Sequence, residues 1–264
     1  IIFMSFREGL DDQGTYYQLN EVAGTTPIVF IHGVGLSLEI WKPQRDFFKN
    51  HSTIAFDLYG HGRTTSADAI TFDKFSDQID GLMQYLKYPS CHLIGFSLGG
   101  LIAAHYASTR SKKINKLILF GTIYGRSAEQ QQEAIKRYEN VSKEYFDIPK
   151  QLNRWFNEDY LSKNPNESQL VSTILENNDH QEFLKSYKLF SHFEDNMILF
   201  NQISAPTLIV TGENEVGSTP EMSKKIGEIV KNSKVEIIPD GKHMCGMECA
   251  DKVNQVFGNF LNDS

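Results

Sequence analysis

The sequence predicts an α/β fold built on a largely parallel sheet, and three observations predict it. Short β-branched and aromatic runs recur along the chain, with helical periodicity between them. Several of these runs, Ile28-Val29-Phe30-Ile31 among them, are continuously apolar rather than alternating, as strands of a parallel sheet covered on both faces must be. The alternation breaks between about Thr122 and Asn201, which predicts a block of helices inserted into the sheet's connections.

Taken in order, the candidate strands are Tyr16 to Asn20, Ile28 to His32, Thr53 to Asp57, His92 to Phe96, Lys116 to Phe120, Thr207 to Thr211 and Val235 to Pro239. Phe72, Phe75, Ile79, Leu82, Met83 and Leu86 form one apolar stripe at helical spacing, and Val253, Val256, Phe257, Phe260 and Leu261 form another near the C-terminus. The interrupting segment has two prolines, Pro149 and Pro165, and helical stretches from Ala128 to Tyr145 and from Gln181 to Phe193. A strand-poor block in such a chain is most simply a cap over the C-terminal edge of the sheet. Ala205-Pro206 then restarts the strand pattern. The polar run Glu129 to Lys136 reads as a solvated helix face.

Composition narrows the function. The 264 residues carry 26 Lys+Arg against 33 Asp+Glu, a formal net charge of -7, and no clustered basic stripe. Nucleic acid is therefore not expected as a partner, because phosphate binding needs such a stripe to release counterions. No apolar run approaches the ~18 residues needed to span a bilayer, so no membrane association is expected. The apolar start Ile1-Ile2-Phe3-Met4 lacks a basic region before it and a cleavage pattern after it, and reads as a mature cytosolic start. Three cysteines, Cys91, Cys245 and Cys249, suit reduced thiols in a cytoplasmic setting better than a disulfide framework. A small-molecule ligand fits this profile.

The strongest chemical signal is Gly95-Phe96-Ser97-Leu98-Gly99, directly after the strand His92-Leu93-Ile94 and directly before Leu101-Ile102-Ala103-Ala104. Strand, turn and helix are the setting in which G-x-S-x-G forms a nucleophile elbow. The turn is sharp enough to strain the serine backbone, and the two glycines remove side chains that would strike the neighbouring strand and helix.

At these residues the chain resembles the α/β-hydrolase family, and four further segments agree in the family's order. Ile31-His32-Gly33-Val34-Gly35 looks like its H-G-x-G loop, and Asp57-Leu58-Tyr59-Gly60-His61-Gly62-Arg63-Thr64 like its D-x-x-G-x-G-x-[ST] turn. Thr207 to Glu215, ending in Thr219-Pro220, is similar to the strand and loop that present the acid, and Pro239-Asp240-Gly241-Lys242-His243 to the loop that carries the histidine. The resemblance implies a mostly parallel eight-stranded sheet flanked by helices. It also implies a core of residues 1–121 and 201–264 with a helical cap at 122–200.

It further implies how the residues share the work. A serine hydroxyl is a poor nucleophile near neutral pH and needs a base, which in turn needs a partner that fixes its tautomer. Ser97 is the candidate nucleophile and His243 the candidate base, the one histidine of eight in a Gly-containing loop after the last strand. Glu215 stands at the third position after Gly212, where the family usually carries aspartate; Glu213 is the alternative acid. The earlier strand ends Phe120-Gly121-Thr122, so the other place where relatives keep an acid has no carboxylate. Asp240 reads as a turn residue. The oxyanion donors would be the Leu98 amide at the head of the helix after the elbow and the Val34 amide from the other loop.

The implied activity is hydrolysis of a carboxylic ester or lactone of a small soluble molecule through an acyl-enzyme, in the manner of the family's enol-lactonase and small-esterase branch. No cofactor and no metal is expected. His243, Cys245, Glu248 and Cys249 could be read as ligands, but no second ligand pair stands at a matching spacing, and Cys245 and Cys249 read as packing residues. Candidate substrate contacts are Trp41, Tyr124, Arg126 and Trp155, and the cap aromatics include pocket walls. A carboxylate-bearing lactone would require a cationic anchor from Arg126, Arg137 or Arg154. One rival is a carbon-carbon bond hydrolase of a dienol diketone using the same triad; another is a non-catalytic ligand-binding member.

Overall fold

The computed structural model describes residues 4–263, so the reading of the start at Ile1 to Phe3 lies outside the described residues. Eight strands form one sheet: β1 (Met4–Leu10), β2 (Tyr16–Val22), β3 (Ile28–Ile31), β4 (Thr53–Phe56), β5 (Cys91–Phe96), β6 (Ile114–Phe120), β7 (Thr207–Gly212) and β8 (Ser233–Ile238). Their spatial order is β1-β2-β4-β3-β5-β6-β7-β8. The first two pairings are antiparallel and the remaining five are parallel.

All seven runs expected as strands are strands, and β3, β4 and β7, within the sheet, are buried on both faces. In β3, Val29 and Ile31 enter one apolar core with Leu93 and Leu119, while Ile28 and Phe30 enter the other with Ile94 and Ile118. Helices cover both cores. On the first lie α2 (Phe72–Leu86), α3 (Leu98–Thr109) and α9 (Pro220–Ile229); on the second lie α1 (Lys42–Phe47) and α11 (Ala250–Asn262), beside the short α10 (Cys245–Glu248). The α2 stripe ends at both sides by local chemistry: the Thr71 side chain accepts the Lys74 amide, and Lys87 takes a left-handed conformation at the C-terminus.

The strand without a recognised sequence signal is β1. It pairs antiparallel with β2 at the edge, and its side chains from Ser5 to Glu8 face solvent. Its pairing rests on the backbone ladder and on contacts such as Arg7 to Glu21 at 3.5 Å, so no buried pattern marks it.

Between β6 and β7 the described chain forms no strand. It folds into α4 (Ala128–Glu144), α5 (Ile148–Trp155), α6 (Glu158–Lys163), α7 (Pro165–Glu176) and α8 (His180–Ser191). The expected helices correspond to α4 and α8. The two prolines of this segment sit in the first turns of α5 and α7, where a missing N–H costs nothing. No helix among the described residues is long and apolar enough to cross a membrane.

Connections run in opposite directions from the centre of the sheet. The chain leaves β3 for β4 on one side, then crosses back to β5 on the other. Such a switch point opens a crevice at the carboxyl ends of adjacent strands, and the loops after β3 and β5 are those carrying Val34 and Ser97.

Candidate active site

Ser97 occupies the turn between β5 and α3 with φ 56° and ψ -116°, a conformation an L-residue adopts only when the surroundings enforce it. The enforcement is visible at two glycines. A Cβ on Gly95 would lie 2.0 Å from the Gly99 carbonyl oxygen, and one on Gly99 would lie 2.3 Å from that of Ile31. Strand, turn and helix pack too closely for either side chain, as the elbow reading requires. Ser97 accepts no side-chain cap role, and its hydroxyl makes no hydrogen bond among the described residues. It lines a cavity whose empty volume, mouth included, is about 670 Å³.

His243 and Glu215 line the same cavity. Nδ1 of His243 is hydrogen-bonded to Oε2 of Glu215, while Oε1 accepts the Gly217 amide at 2.6 Å and the Ser218 amide at 3.3 Å. Burial alone would raise the carboxyl's pKa, but the His243 charge, its hydrogen bond and the two amides outweigh it and bring Glu215 down to about 2. Glu213, the alternative acid, points elsewhere and accepts the Asp240 amide at 3.1 Å. Asp240 sits in its turn with φ 59°. The imidazole is held between rings, 4.7 Å from Phe96 and 5.7 Å from Trp155 by centroid.

The Val34 amide follows β3 and the Leu98 amide heads α3. Neither donates a hydrogen bond within the described residues, although both residues are buried. Buried amides without partners are rare in folded proteins.

Two residues that the sequence reading left within their own turns prove to hold this loop. His32 Nδ1 donates to the Gly33 carbonyl at 2.7 Å and its Nε2 accepts the Leu58 amide at 3.0 Å. His61 Nδ1 donates to the Tyr59 carbonyl at 3.1 Å and its Nε2 accepts the Gly35 amide at 2.9 Å. Each ring therefore works as a neutral tautomer. Burial lowers His32 to about 4; burial and then the neighbouring His32 lower His61 to about 3. The H-G and G-H-G patterns were the available signal.

The expected substrate contacts divide. Arg126 and Trp155 line the cavity, together with Arg137, Arg154, Gln151 and the aromatics Phe146, Tyr187 and Phe190. Trp41 does not: it ends a short 3-10 turn, lies buried 5.0 Å from Phe30 and 6.4 Å from Phe96, and is core. Tyr124 does not either, because its ring turns away to meet Phe200 edge-on at 5.2 Å. Gln151 had no signal, since α5 itself was not recognised.

The histidine loop is also stitched to the helical insertion. Lys242 Nζ donates to the carbonyls of Asn153 and Phe156, Met244 donates its amide to the Trp155 carbonyl, and Glu248 accepts the Asn157 amide at 2.8 Å.

Residues 26–248 match the sequence model of the alpha/beta hydrolase fold. Among curated proteins, the chain is 30% identical over 242 residues to the (E)-2-((N-methylformamido)methylene)succinate hydrolase of Acinetobacter baylyi, covering 89% of this chain and 90% of that one. Among solved structures it is similar to the enol-lactonase of Burkholderia xenovorans, with TM-score 0.85 and 20% identity over 99% of this chain and 97% of that one. It is likewise similar to a thermophilic esterase of Thermogutta terrifontis, with TM-score 0.80 and 24% identity over 98% of each. At those two identities the likeness is one of fold. The family model and the 30% relative go further, and with them the expectation drawn from the five ordered motifs is met: this chain belongs to the α/β-hydrolase fold family and is a hydrolase.

Proposed function

We propose that the protein is a serine hydrolase cleaving a carboxylic ester or lactone of a small molecule through an acyl-enzyme. The observation that carries this reading is the buried Glu215–His243 hydrogen bond in the cavity onto which Ser97 opens. With Nδ1–H committed to Glu215, Nε2 is the free base. It takes the Ser97 proton as Oγ attacks the carbonyl, and the Val34 and Leu98 amides receive the developing oxyanion. As the tetrahedral intermediate collapses, the carbon–oxygen bond to the alcohol breaks and His243 returns the proton to that oxygen. Water then attacks the acyl-enzyme, gives its proton to His243 and releases the acid, with Ser97 recovering its hydrogen. Ser97 and His243 share no hydrogen bond in the resting structure, and in this reading it forms in the reacting complex.

In this reading residues 1–121 and 201–264 are the core domain, and 122–200 the cap that closes the cavity. The 30% identical relative, named for hydrolysis of a small molecule, supports the scale of the substrate.

The test is a panel of esters, lactones and a dienol diketone, assayed on the wild type and on Ser97→Ala, with fluorophosphonate labelling of Ser97. Turnover of esters or lactones that vanishes in Ser97→Ala is expected. Selective cleavage of the diketone would favour carbon–carbon hydrolysis with the same triad. Failure to label Ser97, with no turnover of any substrate, would favour a ligand-binding role.

A further inference from the structure

Three arginines from three separate elements converge on the cavity: Arg126 before α4, Arg137 on α4 and Arg154 in the last turn of α5. Their ion pairing is incomplete. Arg137 meets Glu133 at 3.6 Å, whereas neither Arg126 nor Arg154 has a carboxylate within 4 Å among the described residues. The one carboxylate in the cavity, Glu215, is already engaged by His243, Gly217 and Ser218.

The two unpaired guanidiniums sit differently. Arg126 stacks on Phe190 at 5.0 Å, and one of its nitrogens donates to the Phe190 and Ser191 carbonyls at the end of α8. A helix C-terminus accommodates a cation but does not neutralise it. The Arg154 guanidinium makes no hydrogen bond at all among the described residues and lies against the acid loop, where a Cβ on Gly217 would be 3.2 Å from its Nη2. Burial lowers the pKa of both, and in both the next cause is repulsion from Arg137. Unpaired cations held in a partly buried wall are destabilising unless an anion binds there.

We propose that the cavity takes a dianionic substrate, a small ester or lactone bearing two free carboxylates. Arg154 binds the one nearer the scissile carbonyl, Arg126 binds the remote one, and Arg137 adds positive field at the same wall. This rests on the hydrolase reading above. Planar guanidiniums match carboxylates by paired hydrogen bonds. Cations spread over three elements, beside the rings of Phe146 and Tyr187, suit two separated single charges on a carbon skeleton better than one compact phosphate. The net charge of -7 does not oppose this, since surface charges beyond a Debye length are screened while charges inside the cavity are not.

The test compares the mono-p-nitrophenyl ester of tricarballylic acid, with two free carboxylates, with its dimethyl-capped counterpart. The wild type should favour the dianion in kcat/KM by about 100-fold, about tenfold for each charge-assisted contact. Arg154→Gln and Arg126→Gln should each cut that ratio about tenfold, mainly through KM, and Arg154→Lys should restore part of it. Arg154→Gln keeps the test clean, since no internal hydrogen bond is lost. In a separate readout, glutarate should bind Ser97→Ala by calorimetry, more weakly after Arg154→Gln and more weakly in high salt.

A wild-type ratio near one, with the capped ester turned over and Ser97 labelled by fluorophosphonate, would overturn the dianion site and leave the hydrolase intact. Glutarate binding with no turnover and no labelling would overturn the hydrolase and support the anion site. Inorganic phosphate binding Ser97→Ala more tightly than glutarate would overturn the carboxylate assignment.

Discussion

His243 meets different surroundings at its two nitrogens, and the proposed chemistry depends on that difference. Nδ1 is tied to Glu215, whose other oxygen is satisfied by the Gly217 and Ser218 amides, so the carboxylate can hold one ring orientation and one tautomer. Glu215→Gln keeps the shape but offers an amide where an acceptor is needed. We expect it to lower kcat by about 10³- to 10⁴-fold, with little change in KM, as measured by steady-state kinetics on an activated ester. Glu213→Gln should stay within about threefold of wild type, because Glu213 bonds only the Asp240 amide. A result the other way round would move the acid to Glu213. The choice between these two glutamates was open in the text of the sequence because they stand two residues apart in one loop. Only the direction each side chain takes after Gly212 separates them. Trp41 and Tyr124 illustrate the same limit: a large ring in a motif-bearing segment reads equally well as pocket wall or core.

Elements decide how firmly these residues are presented. The elbow works because β5, α3 and the loop after β3 approach to backbone contact, and two glycines permit it. Gly99→Ala would drive a methyl group into the Ile31 and His32 carbonyls at 2.3 and 2.6 Å. Chemical denaturation should show a loss of about 3 kcal/mol or more, or failure to fold; a loss under about 1 kcal/mol would mean the elbow is looser than described. A gentler perturbation tests the link between insertion and core. Lys242→Met removes the ammonium that bonds two carbonyls in and after the last turn of α5. It should cost about 1 kcal/mol and accelerate amide hydrogen exchange in 148–157, next to Trp155 and Arg154. Unchanged exchange there would rule out Lys242 as the stitch. Elements with strong periodicity or continuous burial were legible before the fold was known. The edge strand β1 and helices α5 to α7 were not, because their stability comes from ladder pairing or from tertiary contacts rather than from an apolar pattern of their own.

The whole molecule carries these arrangements as an acid-sensitive assembly. His32 and His61 are neutral in the fold, at about 4 and about 3, against an ordinary value of 6.5 in the unfolded chain. The unfolded state therefore binds protons more readily, and their contribution to stability is full above about pH 6.5 and lost as the pH falls toward 4 and 3. Glu215, at about 2 against 4.5, adds a second loss below pH 4.5. On the order of 3 kcal/mol should disappear for His32 alone, so urea midpoints should fall steadily from pH 6.5 to pH 4. A flat profile over that window would contradict the neutral buried pair. Topology works at the same scale, placing the β3 and β5 loops side by side although Val34 and Ser97 are far apart in the chain. Continuous strands and five motifs in order, the G-x-S-x-G between strand and helix among them, were enough to read the family and the sheet and to single out Ser97 and His243 as candidates, because each is a local pattern with a local physical cause. Which glutamate meets the imidazole, which arginines face the cavity without a carboxylate partner, and which aromatics are merely core depend on side-chain directions across elements distant in sequence. Packing alone sets those directions, and no local pattern records them.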